Sequence, residues 1–503
     1  MSALYSVQQI RNIETAELAG LPAGALMRRA GEAAAQAAIE LLPMAEGNRI
    51  LILAGPGNNG GDALEAAARL AETGYDVTVL LFSDPASQPA DAREAFERVR
   101  QSTARIVEAN ADADGDLRHD AGWNLVIDGL FGIGLRRPLS GLLRAIVETV
   151  NRMPCPVLAL DVPSGLDADT GNIVGPAGVA IEATETITFI ADKPGLHTCH
   201  GRDHAGRVRV ANLGIPDERF PPPTAHLNDT HCFAEHLRPR RHNSHKGSYG
   251  DVCVIGGAQG MTGAALLAAR AAAFGGAGRV IAAFIDAVPP SDSMHPELMC
   301  RSAREIDLSK GAVVVGPGLG GSVAARESLR RALASPLPAV LDADALNLLA
   351  ADASLQPAAT RRAAPTLMTP HPLEAARLLD ISAGEVQADR LAAARSLAQR
   401  FQAVVVLKGS GTVIALPDEQ AFINPTGNPG LATAGSGDVL AGMCGALLAQ
   451  GWPVREAALG AVWLHGLAAD MLVVQGIGPI GLTAGELIPA IRRALNALVG
   501  GQI

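Results

Sequence analysis

In "NPTGNPGLATAGSGDVLAG", residues 424–442, Asp438 follows Gly435, Ser436 and Gly437 and heads an apolar run. Glycines let backbone N–H groups approach an anion, and a helix N-terminus adds partial positive charge, so the segment suits a phosphate. A carboxylate at its end can take a proton from an attacking hydroxyl while the N–H groups hold the phosphoryl group in transfer. That is the first step of a kinase. The fate of the resulting ester is not written in the loop.

A second cradle lies far upstream, in "AGPGNNGGDALEAAARL". A strand ends at Ala54, a polar turn carries Asn58, Asn59, Gly60 and Gly61, and Asp62 is expected to open a helix. Gly60 and Gly61 would bring N–H groups to an anion; the plainer alternative is an ordinary turn with Asp62 as N-cap. "DGLFGIGLRRPLSG" and "DVPSGLDADTG" then place Asp128, Asp161 and Ser164 at neighbouring strand ends, with Arg136 and Arg137 available to a phosphate. Amide, carboxylate and hydroxyl oxygens from Asn59, Asp128 and Ser164 would together make a hard-cation site.

Other candidates are weaker one by one. Lys408, at the end of "AVVVL", delivers an ammonium to a Gly-rich turn. His371, between two prolines, is a turn residue or a ligand contact. Asp342 and Asp344 in "LDADALN" can approach magnesium, or Asp344 caps the next helix. "HTCHGRDH", residues 197–204, bunches His197, Cys199, His200 and His204 too tightly for a zinc spacing and reads as a loop.

The elements that must position these groups alternate. "RILILAGPG", "DVTVLLF", "NLVIDGLFGIG" and "CPVLALDVPSG" read as strands whose carboxyl ends break into glycine, with amphipathic helices between them. This is an α/β parallel-sheet pattern, which binds ligands at the carboxyl ends of its strands. The rhythm fails over residues 214–247, rich in Pro, His and Arg, and a second α/β series begins at "GDVCVIGG". The boundary falls near residue 225, giving domains 1–222 and 223–503, each expected to be a three-layer α/β domain. Their glycine motifs differ in form and order, so they are not repeats of each other.

At 503 residues the chain exceeds the roughly 250–300 that one core supports. Its 48% hydrophobic, 18% charged and 3% aromatic content describes a globular protein, and a net charge of -10 argues against a nucleic-acid partner bound through a basic field. The most membrane-like stretch, "GAALLAARAAAFGGAGRVIAAFIDAV", contains Arg270 and Arg279 and reads as a buried helix followed by a core strand. The opening residues lack the charged start and apolar run of a secretory signal. A cytoplasmic protein without a membrane partner, and a homo-oligomer, is expected. Six scattered cysteines form no CxxC pair and fit reduced thiols.

"PGNNGGD", "DGLFGIG" and "DVPSGLDADTG" resemble the N-terminal half of the bifunctional NAD(P)H-hydrate repair enzymes, the YjeF-type NAD(P)HX epimerases, whose N-terminal fold is Rossmann-like. The resemblance implies that Asn58 through Asp62 and the segment Gly132, Ile133, Gly134, Leu135, Arg136, Arg137 and Pro138 hold the damaged nicotinamide nucleotide. It implies potassium on Asn59, Asp128 and Ser164, and Asp161 beside the reacting ring, with Lys193 as a possible partner in proton transfer. The chain departs from the family pattern at Ala63, often Gly, and at Gly129, often Ala.

Residues 226–503 resemble the ADP-dependent NAD(P)H-hydrate dehydratases of the ribokinase-like superfamily. The motifs are "HKGSYGDVCVIGGAQGMTGAALLAARAA", "GPGLG", "LDADALN", "TPHP", "VVLKGSGTVI", "NPTGNPGLATAGSGDVLAG" and "HGLAAD". The resemblance puts substrate contacts on Ala265, Gly318, His371 and Asp438, with Asp438 as base, and nucleotide contacts on Lys408, Gly409, Ser410, Gly411, Thr412 and Gly437. Magnesium and ADP are the implied cofactors, and NADHX and NADPHX the implied substrates. Leu373 stands where the family often has Gly. A ribokinase-like small-molecule kinase with an appended nucleotide-binding domain is the competing expectation.

Overall fold

The computed structural model describes residues 2–42, 47–109 and 122–501. The chain divides into two compact units, Ser2–Ala225 and His226–Ile503.

In the first unit seven strands form one sheet: Arg49–Ala54 (β1), Asp76–Leu81 (β2), Arg105–Glu108 (β3), Leu125–Gly129 (β4), Val157–Leu160 (β5), Glu185–Phe189 (β6) and Arg207–Ala211 (β7). Their order is β3-β2-β1-β4-β5-β6-β7, every pair parallel. Along β1, Ile50 and Ile52 join a core on one face while Leu51 and Leu53 join a core on the other. Such two-sided burial follows from the alternation of side chains across the sheet and explains the unbroken apolar run. Helices Val7–Leu18 (α1), Ala25–Leu41 (α2), Asn58–Glu72 (α3) and Ala90–Gln101 (α4) cover the first face, and Gly141–Val150 (α5) covers the second. The strand order reverses between β1 and β4, which opens a crevice at their carboxyl ends.

The second unit repeats the principle with different wiring. Its strands are Ala225–Leu227 (β8), Asp251–Gly256 (β9), Arg279–Phe284 (β10), Met299–Ser302 (β11), Ala312–Val315 (β12), Ala339–Leu341 (β13), Thr366–Met368 (β14), Val404–Leu407 (β15), Val413–Ala415 (β16) and Ala421–Ile423 (β17). They lie in the order β8-β17-β16-β15-β14-β13-β12-β9-β10-β11, parallel from β11 to β15. β16 and β17 turn back antiparallel, so "KGSGT" is a hairpin tip rather than a strand-to-helix turn. Helices Thr262–Phe274 (α6), Ser436–Ala449 (α11), Val454–Val474 (α12) and Ala484–Val499 (α13) share one core with Val252, Val254, Val314 and Val340. Helices Val323–Ala334 (α7), Ala343–Ala351 (α8), Pro372–Leu379 (α9) and Arg390–Phe401 (α10) cover the other face.

The stretch the sequence singled out as membrane-like is α6 followed by β10. Among the described residues, the helix long and apolar enough to cross a membrane is instead α12, with 67% of its apolar window buried.

Candidate active sites

The first site is built where β1, β4 and β5 end. Asn58, Asn59, Asp62, Gly132, Ile133, Gly134, Leu135 and Asp161 line one cavity of about 430 Å³. The helix begins four residues earlier than expected: α3 opens at Asn58 with Gly57 as N-cap, so Asp62 neither opens nor caps it. Gly60 and Gly61 also have a different task. A Cβ on Gly60 would lie 1.9 Å from the Gly55 carbonyl, and one on Gly61 would lie 2.5 Å from Met27 Cε. They let the helix start press onto the strand end and onto α2, while Gly132 is the glycine that makes room in the cavity. A Cβ there would sit 2.7 Å from Asp161 Oδ2 and 3.4 Å from Asn59 Cγ. Arg136, Arg137 and Pro138 are exposed and do not contribute to the lining.

Asp161 holds a left-handed backbone, φ +67°, at the end of β5. Its Oδ1 lies 2.8 Å from Nζ of Lys193, and its Oδ2 accepts the Ile133 N–H at 3.3 Å. Lys193 is fully buried and also donates to Thr188 Oγ1 and to the Phe189 and Ala191 carbonyls. Proton transfer through Asp161 would thus take place against a fixed cation.

Asp128 is fully buried and accepts the Ser164 hydroxyl at 2.6 Å, the Ser164 N–H at 2.8 Å and the Leu130 N–H at 3.2 Å. Burial outweighs these bonds and pushes its pKa up to about 6. Asn59 is 8% exposed, and neither of its amide atoms has a hydrogen-bond partner. Unpaired buried amides cost stability unless something meets them. An oxygen set with an orphaned amide and a carboxylate that burial disfavours in its charged form suits a bound cation.

Ala63 and Gly129, the two family departures, prove to be one feature. A Cβ on Gly129 would fall 2.4 Å from Ala63 Cβ, so a small residue at one position compensates for a larger one at the other. Gly129→Ala alone is expected to destabilise the unit by about 1–3 kcal/mol. Adding Ala63→Gly should recover most of that loss, as a double-mutant cycle of denaturation midpoints would measure.

The second site sits on the carboxyl edge of the other sheet, where loops after β12, β13, β14 and β15 meet the start of α11. Gly435, at φ +89°, is the N-cap, and Asp438 lies in the first turn, whose N–H groups have no intrahelical acceptor. A Cβ on Gly437 would be 3.2 Å from Lys408 Nζ. Lys408 donates to Asp342 Oδ1 at 2.9 Å and lies 3.9 Å from Glu374 Oε2. Burial opposes its charge, but Asp342 and Glu374 prevail and raise its pKa. Asp438 is pushed up to about 7, by burial first and then by Asp342, against the pull of Lys408.

Not all glycines of 424–442 belong to a phosphate cradle. A Cβ on Gly442 would lie 2.1 Å from the Ala268 carbonyl, so this glycine lets α11 cross α6. Gly427 donates its N–H to Asp470 Oδ2 at 2.8 Å, and Asn428 donates to Oδ1 of the same carboxylate. The last residue of "HGLAAD" is therefore a clamp on the loop. Gly435 packs against Leu267 and Ala484 at the helix start, which leaves Gly437 as the glycine beside Lys408.

His371 is the N-cap of α9: its Nδ1 accepts the N–H groups of Leu373 and Glu374. That bond leaves the proton on Nε2, 3.2 Å from Glu374 Oε1, and burial lowers the ring's pKa. Leu373 gives its N–H to this cap and turns its side chain to solvent, 48% exposed. Asp342, not Asp344, is the N-cap residue of α8, and its side chain serves Lys408 and Thr369 instead of the helix. Asp344 accepts the Gly320 N–H at 2.8 Å.

Gly318 sits at φ +57°, pressed against Met261 and Ala264. Ala265 is completely buried under Gly257, so its side chain cannot touch a ligand. Gly409, at φ +146°, lies over Arg390, and Gly411 adopts φ +60°. Thr412 Oγ1 closes the tip by donating to the Gly409 carbonyl, and Ser410 is exposed.

Sequence reasoning missed Glu374, although the His371 to Glu374 spacing is that of a capping box. It also missed Glu14, which enters the first cavity from α1 and carries no motif.

A base works only when ionised. With Asp438 raised to about 7, kcat/KM of the second site should climb with pH from about 6 and level off above about 8. A pH–rate profile that is flat over this range would count against Asp438 as the base.

The sequence profile of the NAD(P)H-hydrate dehydratases matches residues 252–493, and that of the YjeF-related protein N-terminus matches residues 23–195. The chain is 39% identical to a bifunctional NAD(P)H-hydrate repair enzyme of Coxiella burnetii, over 99% of this chain and 100% of the relative. It is 36% identical to the enzyme of the same name from Escherichia coli, over 96% and 92% of the two chains. Among solved structures it is similar to an ADP/ATP-dependent NAD(P)H-hydrate dehydratase from Bacillus subtilis co-crystallised with ATP and Mg²⁺. That likeness has 32% identity and a TM-score of 0.46, covering 53% of this chain and 97% of that one. This chain belongs to the family of bifunctional NAD(P)H-hydrate repair enzymes.

Proposed function

We propose that the two sites act in series on hydrated nicotinamide nucleotides. The first interconverts the R and S forms of NADHX and NADPHX, and the second dehydrates the S form with conversion of ADP to AMP and phosphate. The observation that carries the reading is full-length membership of the family by a chain with both sites, one in each unit.

In the second site Asp438 takes the proton of the ring hydroxyl as its oxygen attacks the β-phosphoryl group of ADP. The N–H groups of Gly435 through Gly437 and the ammonium of Lys408 hold the negative charge, and Lys408 through Thr412 embrace the nucleotide. Gly318, His371 and the backbone around Ala265 bound the substrate, with Nε2–H of His371 as a donor. Phosphate is a better leaving group than hydroxide: its C–O bond breaks as a proton on the adjacent ring carbon passes to solvent, and the ring double bond is restored. Asp342, Asp344 and Glu374 make this edge acidic enough to accept magnesium, which screens the phosphate charges when the nucleotide is bound.

In the first site Asn58, Asn59 and Asp62, with Gly132 through Leu135, bound the cavity that holds the nucleotide, and Asp161 exchanges the proton. Asn59, Asp128 and Ser164 hold potassium, which would satisfy the Asn59 oxygen and fix the loop ends around Gly132.

The test is incubation of purified S-NADHX with ADP. Recovery of reduced-nicotinamide absorbance with one phosphate released per turnover is expected, with ATP as a comparison. A stable phosphorylated nucleotide in place of NADH would identify the site as a simple kinase.

A further inference from the structure

The cavity of the first site holds more carboxylates than one proton transfer needs. Glu14, Asp62, Asp91 and Asp161 all line it, with Arg11 as the cation contributed by α1. Asp161 is tied to Lys193 at 2.8 Å. Asp62 is different: among the described residues its carboxylate makes neither a hydrogen bond nor an ion pair. Glu65, one turn further along α3, is paired with Arg98 of α4, so neither residue serves Asp62.

The placement of Asp62 is specific. It lies one helical turn beyond Asn59, on the same face of α3. Gly132 joins the neighbouring wall, within contact of both Asn59 and Asp161. β4 separates β1, which leads into α3, from β5, which ends at Asp161. The two carboxylates therefore enter one cavity from different elements, Asp62 from within α3 and Asp161 from the end of β5. Asn59, nine-tenths buried with both amide atoms unpartnered, marks the same wall as built for a ligand.

We propose that Asp62 is a second catalytic carboxylate of the epimerase site, donating a proton to the departing hydroxyl in the cavity it shares with Asp161. The inference rests on the epimerase reading above. The environments of the two groups separate their roles. Lys193 keeps Asp161 beside a positive charge, whereas burial and then the charges of Asp161, Glu14 and Glu65 hold the Asp62 carboxyl well above the usual range. Glu14 is raised as well, by burial and by Asp161, with Arg11 and Lys193 opposing.

The step balances. The hydrated carbon is bonded to the ring nitrogen. Its C–O bond breaks as the hydroxyl takes the Asp62 proton and leaves as water, while the nitrogen lone pair forms a C=N bond. Water then adds to the opposite face: a new C–O bond forms, the C=N pair returns to nitrogen, and the water's proton goes to Asp161. Asp62 is left ionised and Asp161 protonated, so the next turnover runs in the reverse sense or after proton exchange with solvent.

The experiment compares wild type, Asp62→Asn and Asp62→Glu in the full-length protein, using R-NADHX with ADP and, separately, S-NADHX with ADP. For Asp62→Asn, kcat from R-NADHX should fall by roughly 10² to 10⁴, with KM within a few fold and the S-epimer rate unchanged. Equilibrium dialysis of R-NADHX shows whether the variant site is intact. Asp62→Glu should recover part of the rate with a displaced pH profile. In ¹⁸O water without ADP, each inversion by wild type should place one solvent oxygen in the S-NADHX formed. Wild-type turnover in Asp62→Asn, a change in KM alone, or inversion without label would overturn the role of Asp62. Failure of wild type to use R-NADHX while using S-NADHX would instead overturn the epimerase reading.

Discussion

Asp438→Asn is expected to lower ADP-dependent dehydration of S-NADHX by roughly 10² to 10⁴ in kcat, with nucleotide affinity changed only a few fold. Asn keeps the size of the side chain and its hydrogen-bonding capacity in the first turn of α11, so the N–H cradle survives. What it removes is proton acceptance. The substitution should also raise the melting temperature near neutral pH. The folded-state pKa of Asp438, about 7, lies above its unfolded value. The unfolded chain therefore releases this proton first as pH rises from about 4 to about 7, and folding loses stability across that window. Asn does not titrate, so the loss disappears. A slower and more stable variant is the signature of a functional carboxylate held in an unfavourable place. Calorimetry and steady-state kinetics on the same preparation measure both.

Asp161→Asn is expected to reduce epimerisation by a similar factor while leaving S-NADHX dehydration intact. Asn is the informative substitution here because the backbone at φ +67° is one that Asn tolerates. Ala would add strain of about 1–2 kcal/mol and blur the result. Asn also leaves the fully buried Lys193 without its carboxylate, although Thr188 Oγ1 and two carbonyls still accept from it. Removing one partner of a buried pair costs about 3–5 kcal/mol in general. The variant should therefore be less stable than wild type, and Lys193→Met added to it should restore stability without restoring activity. An Asp161→Asn protein that still converts R-NADHX at the wild-type rate would exclude Asp161 from the chemistry.

The α/β architecture was legible because apolar runs ending in glycine imply strands buried on both faces. β1 and β12 have that form. What the sequence concealed was the use of individual glycines. Gly60, Gly61 and Gly442 look identical to Gly132 and Gly437 in a string of letters, yet the first three relieve backbone or side-chain contacts and the last two leave room beside Asp161 and Lys408. The distinction depends on what lies across the gap, which only the folded chain supplies. The antiparallel turn of β16 and β17 was hidden for the same reason, since "AVVVL" and "TVIA" carry no mark of strand direction. Asp62 was visible as a residue but not as a chemical group. Its surroundings come from α1, α3 and β5, whose sequences lie far apart.

Reading Asp438 as a base needed only its place after "GSG", whereas the elimination that follows phosphorylation rests on the family to which the whole chain belongs. The central claim is that one site prepares the epimer that the other consumes. It is tested most directly by adding ADP to an equal mixture of R- and S-NADHX and recording the final yield of NADH. Wild type should convert the whole mixture, and Asp161→Asn should stop when the S form is spent, leaving R-NADHX intact. Equal and complete conversion by both proteins, or a wild-type reaction that leaves the R form untouched, would contradict the account.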